Sequence, residues 1–414
     1  MPHLNERAAT HAPESQRIYF LMFNACGSGG VARTVINLAN HLAERHEVEI
    51  ISLFNRRPEP RFRIDPRITV SFLEDQRVAG PKGQMFARRA SLNPDASSWR
   101  RRLDTRPSRL RPKPVDEQIS LLTDVLLYRK LKSLRRGILI STRPTLHHVA
   151  AAWAPKRMIT IAQDHLNFPV RFANKRQGQV LRHALPRVDS YVVLTEADRH
   201  DYLNELPGID TDIRVIRNAL PWSIADTPAK LDNKVVVAAG RLSREKGFRR
   251  MIRAYAPLAR SNPDWQLHIY GHGDERPHLE KLIARLGVGD HVILKGYSSD
   301  FPTVLSESSV YALASTSEGF PMVLIEAMCT GLPLIAFDCP RGPAEIIDDG
   351  KNGRLVENGD IAGFTEALRS LIEDDDLRRR MGAQALEDAR QYEMVRIEQQ
   401  WEDLFQDLVR KRHG

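Results

Sequence analysis

The stretch VYALASTSEGFPMVLIEAM, residues 310–328, changes from a strand pattern to a helix pattern within a single turn. The apolar run Val310–Ala314 predicts a short buried strand. Pro321 is well suited to the first position of a helix, since its missing N–H is not needed there. The stretch therefore predicts a strand, then a loop that contains Glu318, then a helix that contains Glu326.

The same alternation of short apolar runs and amphipathic segments continues in both directions, which is typical of parallel sheets flanked by helices. In the second half, further strands are predicted at 235–239, 266–270, 292–294 and 334–337, and the pattern is helical after Ile361. In the first half, strands are predicted at 18–23, 48–54, 68–73, 138–141, 158–162, 191–194 and 213–216, with helices at 31–44, 116–135 and 196–205. The fold class is α/β, with two doubly wound parallel sheets in tandem.

A chain of 414 residues exceeds what one hydrophobic core usually supports, so two domains are expected. A polar stretch with a proline at its start separates the two runs of elements and reads as a linker. The predicted parts are a disordered tail at 1–16, a first domain at 17–220, the linker at 221–233, a second domain at 234–390, and a helix at 391–414 that packs back on the first domain through Trp401, Leu404 and Phe405.

Composition is that of an ordinary globular protein, with 42% apolar and 27% charged residues, which argues against a coiled coil or wholesale disorder. The N-terminus resembles neither a signal peptide nor a membrane span, and no apolar run is long enough to cross a bilayer. Cys26, Cys329 and Cys339 lack metal-ligand spacing and are expected to be reduced core residues in a cytoplasmic protein.

Positive charge is concentrated between Arg77 and Lys113, where eleven Lys and Arg minus two Asp give a net +9, equal to the formal charge of the whole chain. Prolines are frequent there, so a mobile basic insertion at 76–115 is expected in the first domain. It is either a solvated loop without a partner or a contact for an anionic membrane or polymer. Nucleic-acid binding is disfavoured, because Phe86 and Trp99 are its only aromatic residues.

A glycine-rich turn, Asn24–Val31, directly follows the first predicted strand and precedes a helix. Gly29 and Gly30 let the backbone approach an anionic ligand at the helix start, although a plain tight turn explains them as well. The turn also fits a dinucleotide fingerprint. The basic residues after the second strand, Asn55-Arg56-Arg57, exclude the simple NAD form and leave an NADP enzyme as an alternative.

Three further turns carry candidate chemistry. Arg241 and Lys246 follow Gly240 at the end of a strand and precede a helix, an arrangement that suits a pyrophosphate clamp or a solvated basic loop. Glu326 lies among apolar neighbours and needs a partner, for which sugar or ribose hydroxyls are suitable. His165 ends a first-half strand, where a lone histidine is as often structural as functional.

Together these residues resemble the retaining glycosyltransferases of the GT-B class, family 4, also called glycosyl transferases group 1. The resemblance rests on Glu318-x7-Glu326, Gly240-Arg241-x4-Lys246-Gly247, the early Gly-Gly turn and His165, with weaker matches at Asn218 and Gly271. The segment 338–347 is similar to the subgroup that acts on bacterial surface polysaccharides and teichoic acids. The fold that this resemblance implies is two Rossmann-like domains facing a cleft.

The resemblance also implies roles for individual residues. Arg241 and Lys246 would bind the donor diphosphate and Glu326 its ribose. Glu318 would hold the donor sugar beside His165. The remaining donor contacts implied are Gly29, Gly30, Gly240, Phe320, Pro321, Met322, Val323, Asn218 and Gly271.

The activity implied is transfer of a hexosyl or N-acetylhexosaminyl unit from a nucleotide sugar, expected to be a UDP-sugar, to a polysaccharide, teichoic-acid-like or lipid-linked acceptor. No cofactor or metal is expected, and neither is a nucleic-acid partner. The enzyme would be cytoplasmic, with peripheral contact to an anionic membrane through residues 77–113. A nucleotide-sugar epimerase of the same fold remains an alternative.

Overall fold

The computed structural model describes residues 15–27, 29–78, 85–86 and 97–413. Its strands are β1 Arg17–Met22, β2 Glu47–Asn55, β3 Thr69–Asp75, β4 Arg77–Val78, β5 Met85–Phe86, β6 Gly137–Ser141, β7 Met158–Gln163, β8 Ser190–Val193, β9 Asp212–Val215, β10 Val235–Ala239, β11 Gln266–Tyr270, β12 Val292–Gly296, β13 Val310–Leu313, β14 Leu334–Asp338 and β15 Gly353–Glu357.

The α-helices alternate with these strands. They are α1 Gly30–Leu42, α2 Ser98–Asp104, α3 Leu121–Ser133, α4 Pro144–Trp153, α5 Phe168–Ala173, α6 Lys175–Ala184, α7 Glu196–Glu205, α8 Phe248–Ser261, α9 Arg276–Leu286, α10 Phe301–Ser306, α11 Met322–Met328, α12 Pro343–Ile346, α13 Ile361–Glu373, α14 Asp375–Ala389 and α15 Met394–His413. None of the helices in the described ranges is both long and apolar enough to cross a membrane.

Two large parallel sheets form the frame of the molecule, which confirms the predicted α/β class. The first has the order β3-β2-β1-β6-β7-β8-β9 and the second the order β12-β11-β10-β13-β14-β15. In each sheet the chain starts near the middle, builds outward to one edge, and returns to build the other half. The order therefore reverses between β1 and β6 and between β10 and β13, and ligands of open parallel sheets bind beyond the carboxyl ends of strands at such points.

The C-terminal helix α15 belongs to the core of the first sheet although it follows the second in sequence. Its Trp401 and Phe405 are almost fully buried in the same apolar cluster as β1, β2 and α1. A buried polar contact adds to this packing, since His46 Nε2 lies 2.6 Å from Glu402 Oε1. The chain thus crosses between the sheets twice, and α15 ties the second half to the first.

The expectation of a mobile basic loop is wrong for residues 97–113, while residues 79–84 and 87–96 lie outside the described part of the chain. Helix α2 packs on α3, and Leu110 is 5% exposed within the apolar cluster beneath α3. Two buried polar contacts fix the segment: Ser108 Oγ donates to Asp124, and Ser120 Oγ donates to Asp104. Charge count alone cannot detect one leucine and two hydrogen-bonded acids that anchor an otherwise exposed basic segment.

Candidate active site

The turn after β11 approaches the turn after β10 so closely that position 271 needs glycine. Gly271 has a φ of +139°, and a Cβ atom there would lie 1.8 Å from the carbonyl oxygen of Gly240. Only a residue without a side chain fits this contact. The backbone at Gly240 is therefore held against its neighbour, and the chain continues directly into the loop that carries Arg241 and Lys246.

Lys246 meets Glu318 across the β10–β13 switch point. The Lys246 Nζ lies 2.7 Å from Glu318 Oε1, and Ser315 Oγ donates to the same oxygen at 2.5 Å. The side chain of Glu318 is only 10% exposed, so this carboxylate sits in a largely dry setting with one cation and one hydroxyl as partners. Arg241 is different: it is exposed and lines a shallow cavity beside His272 and Glu275.

Glu326 lies on α11 and is 3% exposed. Burial raises the pKa of its carboxyl group, and Arg33 opposes that shift. Arg33 comes from α1 of the first domain, and its Nη2 lies 2.5 Å from Glu326 Oε1. Its guanidinium also stacks over Trp222, at 4.9 Å from the ring centre. The carboxylate of Glu326, which was predicted to need a partner, is therefore paired with Arg33 from the opposite side of the cleft.

His165 lies directly over the Glu318 loop. A Cβ atom on Gly319 would be 2.5 Å from the carbonyl oxygen of His165, so only glycine permits this approach of the two domains. The His165 Nε2 is shut off from solvent without a hydrogen-bond partner among the described residues. Burial lowers the pKa of this imidazole to about 4, which keeps the ring neutral near neutral pH.

Asp164 fixes the backbone on which His165 stands. Its Oδ1 accepts hydrogen bonds from the backbone N–H of His165 at 2.8 Å and of Leu166 at 3.2 Å, and its Oδ2 accepts from Tyr191 at 2.8 Å. Burial alone would raise the pKa of Asp164, but the paired guanidinium of Arg171 holds it well below its usual range. The turn after β7 is thus a rigid support for the imidazole.

Asn167 extends the same turn across the cleft. Its Nδ2 donates to the carbonyl oxygen of Glu318 at 2.5 Å, and lies 3.0 Å from Ser317 Oγ and 3.2 Å from the carbonyl oxygen of Pro340. Its Oδ1 caps α5 by accepting from the Val170 N–H. One buried amide therefore joins a first-domain helix to two second-domain loops.

The other predicted site residues lie around this junction. Gly29 and Gly30 are exposed at the start of α1, one turn before Arg33, with open space where a Cβ atom would stand. Pro321 precedes the first helical residue, Met322, by one position. Phe320 is buried against Tyr392, and Met322 and Val323 are partly buried. Asn218 is buried, with its Oδ1 unpaired within the described ranges.

Sequence reasoning missed Arg33 and Asn167. Arg33 stands three residues after Gly30, on the face of α1 that points to the cleft, and Asn167 precedes the Phe-Pro start of α5. Asn before such a helix start is an N-cap signal, so α5 and its cap were detectable. The contacts of both side chains across the cleft were not, because they depend on how the two domains face each other.

Two comparisons of the sequence with family models settle the family. The model for glycosyltransferase family 4 matches residues 28–221, and the model for glycosyl transferases group 1 matches residues 223–388. The chain belongs to glycosyltransferase family 4. As a member of this family the protein is a glycosyltransferase, so the family match favours this activity over the alternatives of an NADP enzyme and a nucleic-acid-binding protein.

Relatives of this family-4 enzyme include an exopolysaccharide phosphotransferase of Streptomyces coelicolor, 34% identical over 96% of the chain. The chain spans 41% of that relative's length. The amylovoran biosynthesis glycosyltransferase AmsD of Erwinia amylovora is 31% identical over 59% of the chain and 69% of the relative.

Among solved structures, TarM of Staphylococcus aureus has a TM-score of 0.74 at 18% identity, over 94% of this chain and 99% of that one. Its structure was solved with UDP, α-GlcNAc-glycerol and fondaparinux. The likeness confirms the GT-B fold of the family-4 enzyme.

Proposed function

We propose that this protein is a retaining glycosyltransferase that moves a hexosyl or N-acetylhexosaminyl unit from a UDP-sugar to a cell-envelope saccharide acceptor. The observation that carries the proposal is the meeting of Lys246 and Glu318, at the switch point of the second sheet, with His165, at the carboxyl end of β7 in the first sheet. UDP in the TarM structure supports the choice of donor. The exopolysaccharide and amylovoran relatives support the choice of acceptor class.

Cleavage of the donor develops negative charge on the departing diphosphate and positive charge on the sugar. Lys246 and Arg241 would stabilise the diphosphate, as would the backbone near Gly29, Gly30, Gly240 and Gly271. The bond from the anomeric carbon to the diphosphate oxygen breaks, and the acceptor oxygen bonds to the same face of that carbon. The acceptor proton passes to the departing diphosphate, so no additional base is required.

The remaining residues would orient the donor. Glu318 would accept hydrogen bonds from sugar hydroxyls, and Glu326 from the ribose. The neutral, unpartnered His165 Nε2 would bind a sugar hydroxyl beside the anomeric carbon. Asn218 and the segment Phe320–Val323 would complete the pocket through polar and backbone groups. A carboxylate nucleophile of the kind a retaining hydrolase needs is not invoked, because both acids are already held by cations.

Transfer is proposed to need no divalent metal, because Lys and Arg supply the positive charge at the diphosphate. Exhaustive treatment with a chelator should leave the initial rate of transfer unchanged. Loss of transfer that only an added divalent cation restores would contradict this part of the proposal.

The proposed setting is the cytoplasm, at the inner face of the membrane, with the cations of residues 77–113 near anionic lipid. A panel of UDP-sugars with saccharide, glycerol and lipid-linked acceptors tests the function directly. NMR of the product should give the same anomeric configuration as the donor. An inverted linkage would overturn the retaining mechanism, and epimerisation of the free donor without transfer would overturn the proposed reaction.

A further inference from the structure

The first-domain side of the cleft carries two arginines held face-on against aromatic rings. The guanidinium of Arg143 lies 4.1 Å from the ring centre of Phe23, and that of Arg56 lies 4.7 Å from the ring centre of Phe54. The two rings contact each other edge to face, with centres 5.6 Å apart. Arg56 and Arg143, called the guanidinium pair below, are therefore built into one aromatic platform.

The position of this platform relates it to the reaction. Phe23 follows β1 and Arg143 follows β6 almost directly, so they stand at the carboxyl ends of the two strands between which the first sheet reverses its order. Ligands of open parallel sheets bind at this place. Arg143 and His165 follow the neighbouring parallel strands β6 and β7, so both stand at the same carboxyl edge of the first sheet.

The partners of the pair leave donor groups free. Arg143 Nη1 donates to Asp116 Oδ1 at 2.9 Å, and Asp116 is also held by Thr145 Oγ1 at 2.6 Å. The Arg143 side chain is still 41% exposed. Arg56 binds the neutral amides of Gln76 and Gln118 rather than a carboxylate. Within the described part of the chain, Asp116 is therefore the one carboxylate paired directly with these two cations at the cleft.

Burial lowers the pKa of both guanidinium groups, and the nearby charge of Arg143 lowers that of Arg56 further. Glu74 opposes the shift at Arg56, and Asp116 opposes it at Arg143. Two like charges held close together are unfavourable unless something with negative charge joins them. The fork of a guanidinium binds planar or tetrahedral oxyanions with two parallel hydrogen bonds.

We infer that the guanidinium pair is a subsite for an anionic group of the acceptor, a phosphate or a carboxylate that neighbours the hydroxyl to be glycosylated. The inference rests on the proposed function for the identity of the cleft and narrows its acceptor to a negatively charged saccharide or polyol. An acceptor bound with its hydroxyl beside His165 would present its neighbouring substituent to Arg143. A neutral acceptor would offer no anionic group to the donor groups of the pair that Asp116, Gln76 and Gln118 leave free.

Matched acceptor pairs test the inference. Glycerol 3-phosphate is compared with glycerol, and glucuronic acid with glucose, each with the donor that the UDP-sugar panel selects. The unchanged protein should favour one or both anionic members in kcat/KM. Arg143→Gln should reduce that preference by roughly tenfold or more through KM, the size expected for one charge-assisted hydrogen bond. Which pair responds distinguishes a phosphate from a carboxylate ligand.

The matched control is Arg135→Gln, because Arg135 is an exposed arginine before β6, at the opposite end of that strand. It removes the same charge from the same domain and should leave the acceptor preference unchanged. Arg143→Lys keeps the charge but not the fork, so it should recover part of the preference. It also guards against a folding defect in Arg143→Gln.

A binding measurement separates this inference from the proposed reaction, because it needs no turnover. Calorimetric titration of glycerol 3-phosphate into the UDP-saturated protein should show binding that weakens about tenfold in Arg143→Gln and not in Arg135→Gln. Equal binding to the Arg143→Gln and unchanged proteins, or equal use of charged and neutral acceptors, would overturn the subsite. Binding that behaves as expected while no donor is turned over would overturn the proposed function alone.

Discussion

At the residue scale, each of the two carboxylates of the proposed donor site is paired with a cation. Glu318 is held by Lys246, and Glu326 by Arg33. A buried carboxylate without a partner would cost several kcal/mol, so these pairs stabilise the fold around the two acids. If the proposed donor site is correct, hydroxyl groups of the donor would replace one hydrogen bond of each pair.

Lys246→Ala should reduce transfer about 100-fold or more, because it removes the cation from the proposed diphosphate site, while Glu318 keeps its hydrogen bond from Ser315. The protein should remain folded, since Lys246 lies outside the apolar clusters. Steady-state kinetics with a UDP-sugar checks this, with Lys281→Ala on the exposed face of α9 as the control. Retention of more than about a third of the rate, under 1 kcal/mol, would remove Lys246 from the site.

His165→Gln should make the protein less sensitive to acid. The pKa of His165 is lowered from 6.5 to about 4 by burial, so between these values the unfolded chain binds a proton that the folded chain excludes. His165 therefore costs no stability above about pH 6.5. As the pH drops from there towards 4, it lowers the free energy of unfolding by up to about 1.4 kcal/mol per pH unit. Replacing the imidazole should remove this contribution to the dependence of the free energy of unfolding on pH.

Urea unfolding of both proteins at pH 7, 6 and 5 measures the difference in slope. Asp198, whose pKa burial raises to about 6, contributes with the opposite sign but equally in both proteins. If the two proteins lose stability in parallel over this range, the imidazole of His165 is not shielded from protonation as the structure describes.

At the scale of single elements, several short loops after parallel strands make contacts between the domains. The β7–α5 turn reaches the β13–α11 loop through Asn167 and Gly319. Arg341 after β14 pairs with Asp201 on α7, and Arg217 after β9 pairs with Glu345 on α12 at 3.0 Å. Several loops therefore hold the two domains together, and the loop that contains Asn167 is the one that contacts Glu318.

Asn167→Asp should weaken closure of the cleft while preserving the local helix. Asp caps helices as well as Asn does, so α5 should keep its start. Its carboxylate has no N–H to donate and would face three oxygen acceptors across the cleft. Transfer should fall at least tenfold, and small-angle scattering should report a larger radius of gyration.

The control is Asn174→Asp, which changes the exposed cap of α6 in the same way without touching the second domain. It should leave both transfer and the radius of gyration unchanged. If Asn167→Asp behaves like this control, the amide caps α5 and plays no part in bringing the domains together.

At the scale of the whole molecule, the basic segment is partly folded into the first domain, so deleting it is a poor test of its role. Leu110, Ser108 and Asp104 are buried and would leave a defect in the core. Its exposed cations can be neutralised in place instead. They include Arg102, Arg106, Arg109 and Lys113, beside the exposed ring of Trp99.

Replacing these four cations with Gln should reduce sedimentation with anionic vesicles, because each cation near such a surface contributes up to about 1 kcal/mol. The effect should fade as salt screens the charges. Folding and donor turnover should persist. The control replaces four exposed cations of the second domain, Arg253, Arg260, Lys281 and Arg285. Equal vesicle binding by the two variants at low ionic strength would make the basic segment a solvated surface.

The sequence by itself determined the α/β class, the positions of most strands, and the turns that carry Gly240, Lys246, Glu318 and His165. These features are local, because strand and helix periods and capping residues act over a few positions. The edge strand β15 and helices α4 to α6 were not predicted. β15 contains a glycine and two charged residues, the first seven residues of α4 are all buried, and α5 has six residues, so packing rather than pattern defines these three elements. The amphipathic pattern of α6 was visible in the sequence.

Only the tertiary structure decided which groups meet. Arg33 and Glu326 are 293 positions apart, and Asn167 is 151 positions from Glu318. Nothing within a few residues of either specifies such a partner, because the pairing follows from how two separately folded sheets face each other. The same holds for α15, whose amphipathic face is visible in the sequence but whose burial on the first sheet depends on the chain crossing back. Local sequence therefore fixed the chemical groups available, and the docking of the domains fixed which of them act together.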